Sequence, residues 1–472
     1  MASTRRRVPE PRGTARGRPL LSADALREVL ALHPAALRYW IGYSGGLDSH
    51  VLLHLCAALQ REPPFPDFIA VHVHHGLQAA ADAWAGHCRQ TCESLGIDFR
   101  LLRVDGRAER GQSPEEAART ARYQAIRALI SPGEILLTAQ HRDDQAETLL
   151  LQLLRGAGLA GLSAMPECAA FPPGRLLRPL LEHSRLELQD YAEAQRLRWI
   201  EDPSNQDLDF DRNFIRRRVM PLLTERWPGA SETLSRSARH CAEAQTSLAA
   251  LAADLLRAAL INGGRSLSAA RLRSYTEPDR RLVLREWITS AGFRVPSTRL
   301  LAQGLRELLD AGEDRHPRLY WSEGQIRRYR DELFLLPVAG AFDASAVLNW
   351  DGAQPLALPD DNGELRAEVR TAFGIRPEAW RTGAVTIRYR RGGETLRPPG
   401  RGGTHELKKL FQEAGLPPWV RERMPLIHID GRLAAVAGLW LAAEFAGKGE
   451  SENIRVHWRP PAWLAASAAL AE

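Results

Sequence analysis

Between residues 37 and 158 buried strands alternate with helices, and this alternation restricts the possible folds more than any other feature. Leu37–Tyr43 (LRYWIGY) reads as a buried strand and His50–Gln60 as the helix after it. Phe68–His75 alternates with period two, Ala81–Gly96 is helical and stops at a glycine, and Asp98–Val104 is a third strand. Ser113, Pro114 and Glu116 supply an N-cap, a first-turn proline and a capping-box acid for the next helix. Glu134–Ala139 is a fourth strand and Asp143–Gly158 another helix. Strands joined through helices predict right-handed βαβ units and a parallel sheet. Ligands of such sheets sit beyond the carboxyl ends of the strands. Three polar segments fall there: SGGLDS (Ser44–Ser49), HVHHG (His72–Gly76) and TAQHRDD (Thr138–Asp144).

The first segment has the composition of an anion site. Gly45 and Gly46 let the backbone approach a phosphate, successive N–H groups at a helix start can bind its oxygens, and Ser44 and Ser49 can donate hydroxyls. Asp48 beside an anion calls for a cation, and Mg²⁺ suits it. The lysine that would follow a γ-phosphoryl group is missing. In the third segment, Asp143, Asp144 and Glu147 open a helix, where acids also compensate the helix dipole. Arg119 and Arg122 share a helix face. His72, His74 and His75 invite a zinc reading, but no Cys or acidic ligand accompanies them. In DRNFIRRR, Arg212, Asn213 and Arg216 can share one side while Ile215 and Val219 pack.

The rest of the chain is organised differently. With 472 residues it is too long for one ordinary core, and about three domains are expected. Residues 1–22 are rich in Arg, Pro and Gly without an apolar core, which fits a disordered basic tail and not a secretory signal. Residues 23–228 form the α/β unit. Residues 229–345 read as helical, with Leu248, Leu251, Leu255 and Ala259 at helical spacing and Asn262-Gly263-Gly264 as a stop. Residues 346–383 read as a linker or irregular β region, and residues 384–472 as a small basic α+β unit. The net charge of +6 permits a polyanionic partner without demanding one. Five cysteines without a CxxC argue for reduced thiols, not a disulfide framework. The longest apolar run, near Leu433–Ala443, is well short of the ~20 residues of a spanning helix, so no membrane partner is expected.

SGGLDS resembles the PP-loop of the N-type ATP pyrophosphatases, whose fold is adenine nucleotide α-hydrolase-like. That resemblance implies cleavage of ATP between its α and β phosphates, which accounts for the missing lysine. HVHHG, ARTARY, TAQHRDDQAET with RGAG, Arg178-Pro179-Leu180-Leu181, EDPSNQD and DRNFIRRR extend the likeness over residues 35–225 to the tRNA(Ile)-lysidine synthetases, in their long form with extra C-terminal domains. The sharpest later signal is Glu406–Ile427.

The resemblance implies adenylation of the C2 oxygen of the wobble cytidine in a CAU anticodon. Free lysine then attacks, and AMP and pyrophosphate are released. It also implies ATP and Mg²⁺ as cofactors, a cytoplasmic enzyme and a homodimer. On this sequence Ser44, Gly45, Gly46, Leu47, Asp48 and Ser49 bind ATP. Asp48, Arg122, His141 and Arg216 are the catalytic candidates, and Asp48 and Asp144 the Mg²⁺ candidates. Glu147 or Glu201 would receive the lysine ammonium. Arg212, Arg217, Arg397, Arg401, Lys408 and Lys409 are candidates for tRNA contact. The rival readings are another PP-loop tRNA-modifying enzyme, such as a 2-thiolase, and a small-molecule adenylating ligase.

Overall fold

A computed structural model describes residues 20–62, 65–76, 80–105, 107, 114–312, 315–447, 449 and 451–465. The expected tail through residue 19, Ser113, and the side chains of Pro114 and Glu116 lie outside the described residues. The chain divides into two compact units, Met1–Ser247 and Leu248–Glu472.

The first unit follows the alternation. In chain order it contains α1 (Ala23–Ala31), β1 (Tyr39–Gly42), α2 (Leu47–Gln60), β2 (Phe68–His74), α3 (Ala81–Leu95), β3 (Asp98–Arg103), α4 (Pro114–Arg127), β4 (Ile135–Leu137) and α5 (Arg142–Leu154). Then come α6 (Leu159–Leu162), the hairpin β5 (Cys168–Phe171) and β6 (Gly174–Leu177), and α7 (Arg185–Ala194). The unit closes with α8 (Asp211–Phe214), α9 (Met220–Arg226) and the start of α10 (Ala230–Ala259).

The six strands are ordered β3-β2-β1-β4-β6-β5. All pairs are parallel except the edge pair β5–β6. Both faces of the sheet are covered at its centre, so β1 and β4 are apolar and buried, whereas the edge strand β3 exposes Asp98, Arg100 and Arg103. Ile41, Leu137 and Leu177 pack with α2 on one side. Trp40, Leu136 and Leu176 pack with Ile126 and Ile130 on the other. Helix α3 stops at Gly96, whose φ of 72° suits a residue without Cβ.

In the second unit the expected helices, through Thr298–Asp310, are accompanied by a five-stranded sheet that helical periodicity had not disclosed. Arg318–Tyr320, Gly324–Tyr329 and Glu332–Pro337 are its longer strands. Within the stretch expected as linker or irregular β, Glu364–Thr371 pairs along its whole length with Glu452–Arg459. The Asp430-Gly431 turn joins Leu426–Ile429 to Arg432–Val436, with both turn residues at positive φ.

Trp419 lies in the core of this unit. It packs edge-on to Phe334, with ring centroids 5.5 Å apart, and Tyr329 lies on another side. Trp419→Ala should therefore lower the stability of this unit by about 3–5 kcal/mol in urea titration. Trp419→Phe should cost clearly less, because most of the apolar contact survives.

Candidate active site

The Ser44–Ser49 loop is shaped by contacts that only these residues allow. Gly45 has φ of 86°, and a Cβ there would lie 2.6 Å from Ile200 Cδ1 and 3.0 Å from Cys88 Sγ. The Gly45 carbonyl accepts from Ile200 N–H at 2.9 Å, which ties the loop to the segment after α7. Ser44 and Ser49 hydroxyls are 3.0 Å apart, and Ser49 Oγ donates to Gly46 O. Gly46 caps α2 without any side-chain hydrogen bond. The first N–H groups of a helix have no intrahelical acceptor, so those of α2 are available to an anion at the positive end of its dipole.

His141 stands opposite, at the start of α5. Its Nδ1 accepts from Asp144 N–H at 3.4 Å, and Asp144 Oδ2 accepts from His141 N–H at 3.1 Å. This reciprocal capping box leaves the imidazole proton on Nε2. That nitrogen is buried without a hydrogen bond, 3.4 Å from Asp144 Oδ2 and 3.7 Å from Asp48 Oδ2. The loop aspartate and the β4–α5 histidine, far apart in sequence, therefore meet at the carboxyl edge of the sheet.

Behind His141 lies a cluster of two acids and two arginines. Glu147 is 2% exposed and accepts from Arg212 Nε at 3.0 Å, Arg216 Nε at 2.6 Å and Arg216 Nη2 at 2.9 Å. Asp144 Oδ1 accepts from both guanidinium groups at 2.8 Å. The arginines reach the same acids because they are four residues apart, on α8 and the π-helical turn Ile215–Val219 that follows it. Burial works to raise the Asp144 pKa, but His141, Arg212 and Arg216 together outweigh it and hold the carboxyl below its ordinary value. Burial works against the Arg216 charge too, but Glu147, Asp144 and Asp48 outweigh it and raise the pKa.

Asp48 is in the opposite condition. Its Oδ1 is buried without a hydrogen-bond partner, and Arg185 Nε approaches only to 3.9 Å. Burial pushes its carboxyl above the ordinary value, with His141 opposing and Asp144 adding to the rise. A carboxylate short of counter-charge beside an anion-binding loop fits a divalent cation, so Asp48 suits Mg²⁺. Asp144 suits it less directly, because its oxygens already accept from two arginines and the His141 N–H.

The other expected residues are distributed as follows. Arg122 is exposed on α4, with its Nε and Nη2 3.3 Å from His75 Nε2 at the end of β2. Burial, with Arg122 adding to it, lowers the His75 pKa to about 4. His72 donates to Tyr43 O at 2.9 Å. The sequence grouped Arg212 with the tRNA-contacting arginines, whereas the structure turns it toward Asp144 and Glu147. Arg217 stays exposed, as do Arg397, Arg401, Lys408 and Lys409. The last four lie in and after the hairpin formed by Thr395–Leu396 and His405–Glu406. Glu201 is exposed.

Sequence reasoning missed Arg185. The motif Ser184-x-x-Glu187, which forms a capping box at the start of α7, would have located it. Asp143, expected only as an acid of the first turn, accepts from Arg185 N–H at 2.8 Å and Ser231 Oγ at 2.6 Å. It thereby joins the starts of three helices.

Comparison with known proteins agrees with this geometry. Residues 22–223 match the PP-loop domain, residues 267–334 the TilS substrate binding domain, and residues 385–458 the TilS substrate C-terminal domain. A tRNA(Ile)-lysidine synthase of Methylococcus capsulatus is 51% identical over 93% of this chain and all of its own. The chain belongs to the tRNA(Ile)-lysidine synthase family. A second relative of that name, from Coxiella burnetii, is 43% identical over 90% of this chain and 93% of its own length. Among solved structures, the U34-tRNA thiolase NcsA of Methanococcus maripaludis is similar at 18% identity and a TM-score of 0.41, over 47% of this chain and 77% of that one. The full-length relatives favour the synthase reading over the two rivals. No helix of the described residues is long and apolar enough to cross a membrane.

Proposed function

We propose that this ATP-dependent ligase joins free lysine to C2 of the wobble cytidine in the CAU anticodon of tRNA(Ile), at the carboxyl edge of its parallel sheet. The observation that carries the reading is the meeting of Asp48 and His141 above an uncapped helix start, beside the Asp144–Glu147–Arg212–Arg216 cluster. Ser44–Ser49 hold the pyrophosphate as it leaves. The cytidine C2 oxygen attacks the α-phosphorus, and the bond from the α-phosphorus to the bridging oxygen breaks. The lysine ε-amine, having lost a proton, then attacks C2 and the C2–O bond breaks, which releases AMP.

Each group has a task in this scheme. His141 Nε2–H and Arg122 donate to the oxygens of the α-phosphoryl group, where charge develops. Asp48 would hold Mg²⁺, which offsets charge on the phosphate oxygens. Lysine carries two ammonium groups and one carboxylate. The buried cluster offers two acids and two guanidinium groups, so it can receive both signs, with Glu147 favoured over the exposed Glu201 for the ε-ammonium. A cytoplasmic homodimer belongs to the same reading, and its mass is measurable by sedimentation.

The test is incubation of the full chain with ATP, Mg²⁺, labelled lysine and tRNA(Ile) bearing a CAU anticodon. Label should enter the RNA with equivalent release of AMP; AMP without labelled RNA would reject lysine as the nucleophile.

Within this reading the exposed Arg397, Arg401, Lys408 and Lys409 dock tRNA phosphates. Replacing all four by alanine should weaken tRNA binding across sequences. It should also reduce the slope of log K against log salt by about one for each phosphate that the protein no longer neutralises. An unchanged slope would remove this surface from the interface.

A further inference from the structure

Among the described residues four arginines are buried: Arg178, Arg328, Arg421 and Arg423. Three of them spend their donors inside the protein. Arg328 donates to the carbonyls of Arg330, Leu308 and Ala311 at 2.8–3.1 Å. Arg421 donates to Leu416 O and Tyr329 Oη, at 2.5 and 2.7 Å. Arg423 donates to Asp360 O and Gly340 O and lies over the rings of Phe342 and Trp463.

Arg178 differs. It is 6% exposed, its Nη1 donates to Pro166 O at 2.6 Å, and its Nε is buried with no partner. No carboxylate of the described residues forms an ion pair with it. Burial works most strongly against its charge, Tyr123 and Cys168 partly oppose that, and Arg119 on α4 adds a second cation nearby. A buried cation without a carboxylate partner among the described residues is costly, and an anion that arrives from outside would offset that cost.

Its place in the fold suits that. Arg178 is the first residue beyond β6, and Leu177 O accepts from Thr138 N–H, the first residue beyond β4. It therefore stands at the same carboxyl edge as His141. Its hydrogen-bond partner Pro166 follows Met165, whose N–H and C=O are both held by the Gln145 side chain, at 2.8 and 2.7 Å. Gln145 is the neighbour of Asp144 on α5, so Arg178 is fixed to the helix that carries the acid cluster. Arg119, over the ring of Tyr123, is on the exposed side of α4.

We propose that Arg178, with Arg119 beside it, binds a phosphate-ester oxyanion of the substrates at the carboxyl edge of the sheet. The proposal rests on the reaction given above and adds a contact to it. The oxyanion comes from ATP or from the tRNA backbone, and kinetics separate the two.

The experiment compares full-length Arg178→Met and Arg119→Gln with the parent chain in the lysine-incorporation assay. Melting is measured without substrates. The Met variant should melt at the same temperature or higher, because it removes an unpaired buried charge. KM for one substrate should rise about tenfold or more, the loss expected for a charge-assisted hydrogen bond. A rise for tRNA with a shallower salt dependence assigns an RNA phosphate; a rise for ATP alone assigns a nucleotide phosphate. Arg119→Gln lies on an exposed helix face, tests the site without touching the core, and should raise the same KM. If both KM values stay at the parent level in Arg119→Gln, or in a folded Arg178→Met, the proposal is overturned. A parent chain that incorporates no lysine would instead reject the reaction itself.

Discussion

Asp48→Ala should reduce AMP formation by about 10²–10³-fold or more, the loss that follows removal of a principal electrostatic contact to a transferring group. The same variant should fold at least as well as the parent. Asp48 Oδ1 has no hydrogen-bond partner, and burial together with Asp144 raises its pKa, so its charge is held against local preference. Removing that charge relieves the fold and disables the chemistry. Affinity for tRNA should stay within about twofold, because a neutralised carboxylate takes no cation away from the RNA phosphates. Three measurements on one variant thus move in different directions: turnover down, melting temperature equal or up, tRNA binding unchanged. A melting temperature well below the parent's would make Asp48 a structural residue, and unchanged AMP release would take it out of the site.

The sheet was legible because its evidence is local. Each strand in residues 37–137 is a short run with a helix after it, mostly apolar except at the edge strand Asp98–Arg103, and a chain that repeats this has few ways to bury both. The loop was legible for the same reason: glycines, serines and Asp48 lie within six consecutive positions. The hairpin of Cys168–Phe171 and Gly174–Leu177 was not foreseen. It makes the edge of the sheet antiparallel and so breaks the βαβ rhythm. The small sheet of the second unit was obscured by short strands among strongly periodic helices. Glu364–Thr371 was obscured by its polar alternation (Arg366, Glu368 and Arg370 fall on one face), and its partner Glu452–Arg459 lies about eighty residues away.

Site residues divide along the same line. Asp144 and Glu147 were visible as acids of a first turn, and Arg212 and Arg216 as cations on one helical side. Neither segment alone indicated that they belong to each other, because 65 residues separate Glu147 from Arg212 and only the tertiary fold joins them. That joining also changes the expectation for Arg212. A guanidinium satisfied by two carboxylates is not a free phosphate contact, whereas Arg217, five residues on, is exposed.

Glu147→Gln tests this cluster directly. The substitution keeps the volume of a nearly fully buried side chain and removes its charge. Asp144 is then the only carboxylate of the cluster left facing Arg212 and Arg216. Breaking a buried ion pair from one side costs about 3–5 kcal/mol, and the partial exposure of both arginines places the expected loss near the lower end. Urea unfolding of the first unit should show it. If the cluster is also where lysine binds, kcat/KM for lysine should fall by at least about a further tenfold, while KM for ATP changes little. Arg216→Met in the Glu147→Gln background separates the two effects. Taking away one surplus cation should recover much of the stability, because the unpaired charge and not the lost volume is what destabilises the single variant. It should recover none of the lysine dependence, because the acid that receives the ammonium is still missing. Recovery of both together would show that Glu147 acts only by holding the arginines in place.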